Sequence, residues 1–343
     1  MFPPGLRRYF DMMMKLHPHQ LGLLAIAAGV GLILLVVIVI LVRASLQKRT
    51  PQWFYNKALD AYQRGKIDQA LQLLQQATEK DPEFADAFYN LGIFSLQKGL
   101  KAQAQKCFET VLNLRPNDLD ALYNLALMAY EVKDYGECII RIQQALEHHP
   151  EDADCHYTLA LAYEALENPE LAIESYQRAV TCDPGHVNAF LFMGKLQDQI
   201  QALDAAIQSF KSVLELDPHN LEANYDLSIT LAKKGEWDST IHYSQRAIEI
   251  DPTYSKAYNQ LGLAHYCKEE MPEAIENYQR AIEIDPSYAN AYNNLGYAYQ
   301  KSGQYPDAIR MFEVYLEKDI EAEEAAEVRE HLELLRKKLL EAV

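Results

Sequence analysis

A proline recurs at a fixed interval of 34 residues through most of this chain, at Pro82, Pro116, Pro150, Pro184, Pro218, Pro252 and Pro286. A period held that long without a slip excludes one irregular core and demands a serial array, in which each unit buries its apolar stripe against the next. Counted from residue 51, the units are 51–84, 85–118, 119–152, 153–186, 187–220, 221–254, 255–288 and 289–322, the last with Ile320 where the proline would fall. Position 8 of the unit is small throughout (Ala58, Gly92, Ala126, Ala160, Gly194, Ser228, Gly262, Gly296), and so is position 20 (Ala70, Ala104, Cys138, Ala172, Ala206, Thr240, Ala274, Ala308). Small side chains let two helices cross closely, so these positions are expected to face each other. Position 24 (Leu74, Phe108, Ile142, Tyr176, Phe210, Tyr278, Phe312) and position 27 are expected to pack against the following unit. The proline ends the second helix, because the residue before it is pushed out of the α region.

The stretch Ser255–Pro286, SKAYNQLGLAHYCKEEMPEAIENYQRAIEIDP, resembles a tetratricopeptide (TPR) repeat, a helix–turn–helix of 34 residues. The resemblance implies an all-α fold, an α-solenoid of about eight helix hairpins over 51–322 whose first helices line a concave groove. Gly65 and Gly99 fall in the turns, Asn168-Pro169 is expected to take that role in repeat four, and Gln201 stands there in repeat five. Repeat six carries Ser228, Thr240 and Ser244 at packing positions. That pattern is either drift or a polar seam forming a hinge between two half-arrays.

The family assigns the groove to first-helix positions 2, 5, 6, 9, 12 and 13. Position 6 reads Asn56, Asn90, Asn124, Thr158, Phe192, Asp226, Gln260, Asn294, and position 5 reads Tyr55, Tyr89, Tyr123, Tyr157, Leu191, Tyr225, Asn259, Asn293. Asparagine both donates to and accepts from a peptide backbone, so a ladder of it can hold an extended chain without dictating its side chains. This resembles the asparagine ladder in the TPR superhelix of O-GlcNAc transferases, without the catalytic domain. The tyrosines either join that face or serve as packing residues. Position 2 is acidic at Asp86, Asp120, Asp154 and Glu222, which suits a partner segment with basic residues. The carboxylate clamp of other TPR proteins needs Lys or Arg at positions 2, 5 and 6, where only Lys256 qualifies. The expected peptide-groove set is thus Asn56, Asn90, Asn124, Tyr89, Tyr123, Tyr157, Tyr225, Asn259, Asn293 and Asn294, with the four acids.

Before the array, residues 1–20 form a basic leader, and Leu21–Val42 runs 22 residues without a charge. At 1.5 Å per residue that reaches about 33 Å, enough for one transmembrane helix. It ends in Val42-Arg43 and not in a small-residue cleavage site, so a retained signal-anchor is expected. Residues 43–50 then tether the array within at most about 29 Å of the bilayer. Arg43, Lys48, Arg49 and Lys57 slightly outnumber Arg7, Arg8 and Lys15 across the span, so the array is expected in the cytoplasm. Small-xxx-small spacing at Ala25/Gly29 and Ala27/Gly31 could pair such helices into a homo-oligomer. At the other end, 323–343 carries a Val328, Leu332, Leu335, Leu339 stripe expected to cap the last repeat.

The net charge is −17, and it becomes −22 when the first fifty residues, with six basic side chains and one acid, are set aside. So acidic a body has no electrostatic footprint for nucleic acid. Five cysteines without a CxxC pair, two of them at packed positions, favour a reducing compartment. His148, His149, Cys155, His156, Cys182 and His186 cluster in sequence but fit no zinc spacing. No metal, cofactor or enzymatic activity is expected, since no phosphate loop, HExxH or GxSxG occurs. The layout resembles membrane-anchored TPR adaptors of bacterial envelopes and mitochondrial import receptors. It implies a scaffold that binds protein segments at a membrane. A self-assembling coat and a non-catalytic subunit of a membrane enzyme such as a glycosyltransferase stay open beside it.

Overall fold

The computed structural model of the protein describes residues 34–42, 50–318 and 325–341. The leader 1–20, most of the expected anchor 21–42, the linker residues 43–49 and the end of repeat eight at 319–322 lie outside the described residues. Residues 34–42 are helical and exposed. Among the described residues no helix is long and apolar enough to cross a membrane.

The array is all-α and divides into two compact units, residues 1–128 and 129–343. The first holds α1 (Pro51–Gln63), α2 (Ile67–Lys80), α3 (Ala85–Gln97), α4 (Lys101–Leu114) and most of α5 (Leu119–Glu131). The second holds α6 (Tyr135–His148), α7 (Ala153–Ala165), α8 (Pro169–Cys182), α9 (Val187–Gln199), α10 (Leu203–Leu216), α11 (Leu221–Lys233) and α12 (Trp237–Ile250). It continues through α13 (Ser255–Cys267), α14 (Met271–Ile284), α15 (Ala289–Lys301), α16 (Tyr305–Lys318) and α17 (Ala325–Glu341). Through all eight repeats the first helix has 13 residues and the second 14.

The division falls inside α5, in repeat three, and not in repeat six. Ser228, Thr240 and Ser244 are fully buried there. Two of these hydroxyls bond back into their own helices, Ser228 to the Tyr225 carbonyl at 2.7 Å and Thr240 to the Glu236 carbonyl at 3.1 Å. Such bonds satisfy a hydroxyl within one helix, whereas Ser244 Oγ is buried without a hydrogen bond.

Every repeat turns the same way between its two helices. Position 15 has positive φ in all eight, at Gly65, Gly99, Gly235 and Gly303 but also at Lys133, Glu167, Gln201 and Glu269. The next residue then donates to the carbonyl five residues back, as Lys66 does to Ala61 at 2.9 Å and Asn168 to Tyr163 at 3.0 Å. This Schellman closure satisfies carbonyls the helix end would leave bare. In repeat four the turn is therefore made by Glu167, and not by Asn168-Pro169 as the sequence suggests. Asn168 is the N-cap of α8 and Pro169 occupies its first turn, where its missing N–H costs nothing.

At position 8 the two helices of a hairpin approach closely, and the side chain it meets there is that of position 24. A Cβ on Gly92 would lie 2.7 Å from the Phe108 ring, and Gly194, Gly262 and Gly296 would meet Phe210, Tyr278 and Phe312 within 2.8 Å. The aromatic at position 24 thus lies on the glycine of its own hairpin, besides packing against the following repeat as Phe108 does with Ala121 and Leu125. Past the second helix of each of the first seven repeats comes the proline. Where Asp precedes it, its carboxylate accepts the N–H two residues on, from Asp81 to Glu83 at 3.1 Å through Asp285 to Ser287 at 2.9 Å. On α17, Val328, Leu332 and Leu335 are buried against Ala308, Phe312 and Tyr315, closing the apolar end of the last hairpin.

Candidate functional site

In the first unit, the position-5 and position-6 side chains of successive repeats join one another. Asn90 Nδ2 donates to the Tyr55 hydroxyl at 3.0 Å and to the Asp86 carbonyl at 3.0 Å. Both of its amide hydrogens are thereby used, and Oδ1 is left as an acceptor these bonds do not occupy. Asn124 repeats the arrangement, bonding the Asp120 carbonyl at 2.7 Å and the Tyr89 side chain. Burial first, then nearby Asp120, push the Tyr89 hydroxyl above its ordinary pKa. A second strut runs parallel, from Gln97 Nε2 to the Tyr62 hydroxyl at 2.7 Å, with the Tyr62 ring stacked 4.0 Å from Phe94.

Asn56 is exposed and accepts from Gln52 Nε2 at 2.9 Å, while Tyr123 is half-buried. Asp86 is tied to Arg115 at 2.8 Å, whereas Asp120 is exposed. The acidic column is therefore partly neutralised by the protein itself. Tyr55 also packs 5.0 Å from Phe84, so position-5 tyrosines serve packing and bonding together.

In the second unit the same positions take several forms. Tyr157 lies 4.8 Å from the His186 ring. His186 Nδ1 accepts the Ala189 N–H at 3.1 Å, capping α9, and its Nε2 lies 3.5 Å from Asp154. Tyr225 meets Tyr254 edge-on at 5.1 Å. Asn259 and Asn293 are buried, at 8% and 7% exposure, so they sit in the packing and not on an open face. Asn294 donates to Asn259 Oδ1 at 2.9 Å, and Gln260 Nε2 reaches the Ser228 carbonyl at 3.4 Å.

Repeats five and six hold a charged network that the expected residue set missed, apart from Glu222. Lys195 pairs with Glu222 and stands 3.9 Å from Asp226 Oδ2. Asp198 accepts from the Thr230 hydroxyl at 2.9 Å and from Lys233 at 2.5 Å. Lys195, Asp198, Gln199, Phe210, Asp226, Ile229 and Thr230 line a cleft of about 170 Å³. Asp226 Oδ2 is buried there with no hydrogen bond. Desolvation chiefly, with Glu222 and Asp198 adding repulsion, pushes the Asp226 carboxyl up to about 6 despite Lys195 and Lys256. One sequence signal pointed here. Position 9 is apolar or aromatic in every repeat except the fifth, which has Lys195.

Among the described residues no group of His, Cys, Asp and Glu is placed to hold a metal ion. Cys155 is buried, which raises its thiol far above the usual range, and His156 Nε2 lies 2.9 Å from the Pro150 carbonyl. Burial likewise pushes Cys107 and Cys138 up to about 11, as for thiols used as small core residues.

Models of the tetratricopeptide repeat match residues 61–129 and 200–261, 266–303, and 291–324, together more than half of the chain. A model described as anaphase-promoting complex, cyclosome, subunit 3 matches residues 97–179. Among solved structures, that of MamA is 32% identical over 47% of this chain and 94% of its own, with a TM-score of 0.45. YrrB, described as a TPR protein with an unusual peptide-binding site, is 22% identical over 55% of this chain and 97% of its own, with a TM-score of 0.48. The pilF protein of Pseudomonas aeruginosa is 16% identical over 62% of this chain and 97% of its own, with a TM-score of 0.51, a likeness of fold alone. No curated protein matches the chain. With its 34-residue register, its uniform hairpins and these matches, the chain belongs to the tetratricopeptide-repeat family.

Proposed function

We propose that this protein is a membrane-anchored scaffold whose first-helix face receives segments of other proteins and gathers them at a bilayer. The observation that carries the reading is the Asn90 side chain. Its two donors are fixed to Tyr55 and Asp86, so its carbonyl oxygen is held in one orientation before any ligand arrives. A group ordered in advance loses little freedom on binding, so its hydrogen bond adds to affinity with small entropic cost. Exposed acids such as Asp120 and Asp154 favour a segment with basic residues, in keeping with the net charge of −17.

The uncharged run of 21–42 supports anchoring, and the excess of basic residues after it supports a cytoplasmic array. A short tether makes capture of a membrane-borne partner nearly intramolecular, with effective concentrations of order millimolar. The test is affinity purification of the full chain from its native membranes, beside a variant carrying Asn90→Arg and Asn124→Arg. The reading expects a partner that co-purifies with the wild type and is lost from the variant, and a chain that resists alkaline extraction unless 21–42 is deleted. Equal recovery of every co-purifying protein would contradict the binding face, and extraction of the full chain would contradict the anchor.

A further inference from the structure

From the cleft between repeats five and six we infer a dedicated subsite for one basic side chain, lysine or arginine, of the bound segment, with Asp226 as its counter-ion. The inference rests on the scaffold reading and adds to it the chemistry of a particular residue in the partner.

Three observations lead to it. The cleft measures about 170 Å³, and its lining includes the carboxylates Asp198 and Asp226, the amine of Lys195 and the apolar Phe210 and Ile229. Sites for drug-sized molecules span roughly 300–1,000 Å³, so this one suits a single side chain. Among its buried polar side-chain atoms one has no hydrogen bond. Asp198 holds Thr230 and Lys233, and Glu222 holds Lys195, but Asp226 Oδ2 accepts no hydrogen bond and has only Lys195 at 3.9 Å. A buried acceptor left bare costs more than a made bond returns, and a cationic donor relieves it best. The apolar wall completes the fit, because the stem of a lysine or arginine lies along apolar surface while its head seeks a carboxylate. Repeats one to three carry neutral Asn at the position of Asp226, so the subsite is peculiar to this part of the array. The groups around Asp226 are Lys195 and Asp198 on α9, Glu222 and Tyr225 on α11, Tyr254 just before α13 and Lys256 on it.

The test uses the full chain in lipid nanodiscs and a fluorescein-labelled glycine–serine peptide with a single central arginine. A twin peptide carries citrulline, the uncharged isostere, in its place. Fluorescence anisotropy is expected to show the arginine peptide binding about tenfold more tightly, the worth of one charge-assisted hydrogen bond. Asp226→Asn should abolish that preference, whereas Glu109→Gln, on an exposed part of α4, should keep it. The preference should also fade as the pH falls below about 6, where Asp226 takes up its proton. Equal binding of the two peptides, no binding of either, or a preference that survives Asp226→Asn would each overturn the subsite. Because Asn90 and Asn124 lie in the first unit, loss of the subsite leaves the co-purification result unaffected, and the two readings fail separately.

Discussion

The first unit and repeats five and six use the same helical positions for opposite chemistry. In the first unit, position 6 is a neutral amide locked to a tyrosine of the preceding repeat, as Asn90 is to Tyr55. In repeat six the same position is Asp226, a carboxylate whose Oδ2 no donor reaches. One arrangement adds cohesion between repeats at any pH, while the other lowers stability in return for an unmet demand. The backbone hardly differs, since both regions use helices of 13 and 14 residues. A repeat array can therefore keep its register fixed and vary only what the groove positions hold.

Removing the demand should have the largest effect. Asp226 has its carboxyl raised to about 6 in the folded chain against an ordinary value near 3.8. The native state thus binds a proton more readily than the unfolded chain, and stability falls as pH rises from about 4 to about 6. Asp226→Asn should stabilise the second unit at pH 7 by up to about 3 kcal/mol, with the gain vanishing near pH 4. Urea titrations of wild type and variant at the two pH values check this. A gain that stays the same at both would mean that charge is not its origin.

Next comes a test of whether the shared frame is as tight as the comparison requires. Gly194→Ala would set a Cβ 2.8 Å from the Phe210 ring and should cost about 1–3 kcal/mol. Pairing it with Phe210→Leu should recover part of the loss, measured as a double-mutant cycle. In the first unit, Asn90→Ala should cost about 1–2 kcal/mol by releasing Tyr55, and Tyr55→Phe somewhat less, both without pH dependence between 5 and 8. The smallest effect lies in the turns. Glu167→Gly relieves a left-handed residue and should stabilise by at most about 1 kcal/mol, whereas Gly65→Ala, with no atom near its Cβ, should destabilise by a similar amount.

Much of the frame was legible in the residues. The proline ladder set the register, and the small residues at position 8 marked the helix crossing. What the pattern hid has physical causes. Glutamate is no favoured left-handed residue, so Glu167 could be identified as the turn only from the Schellman bonds that hold it there. Position in a repeat specifies a helix face but not depth. Tyr89 and Asn259 both meet the position-6 amide of the next repeat, yet Tyr89 is half-buried while Asn259, like Asn293, is buried. Lys195 could be seen as odd among apolar residues, yet its coupling to Asp226 arises across two repeats and needs three dimensions.

The claim that first-helix positions receive a protein segment is tested most directly by photo-cross-linking in native membranes. A photoreactive residue would be placed at Asn90 or Asn124, with Glu109 on a second helix as the comparison site. The account predicts a discrete adduct with another protein from the first two positions and none from the third. Adducts from Glu109 alone, or none from Asn90 and Asn124, would contradict it.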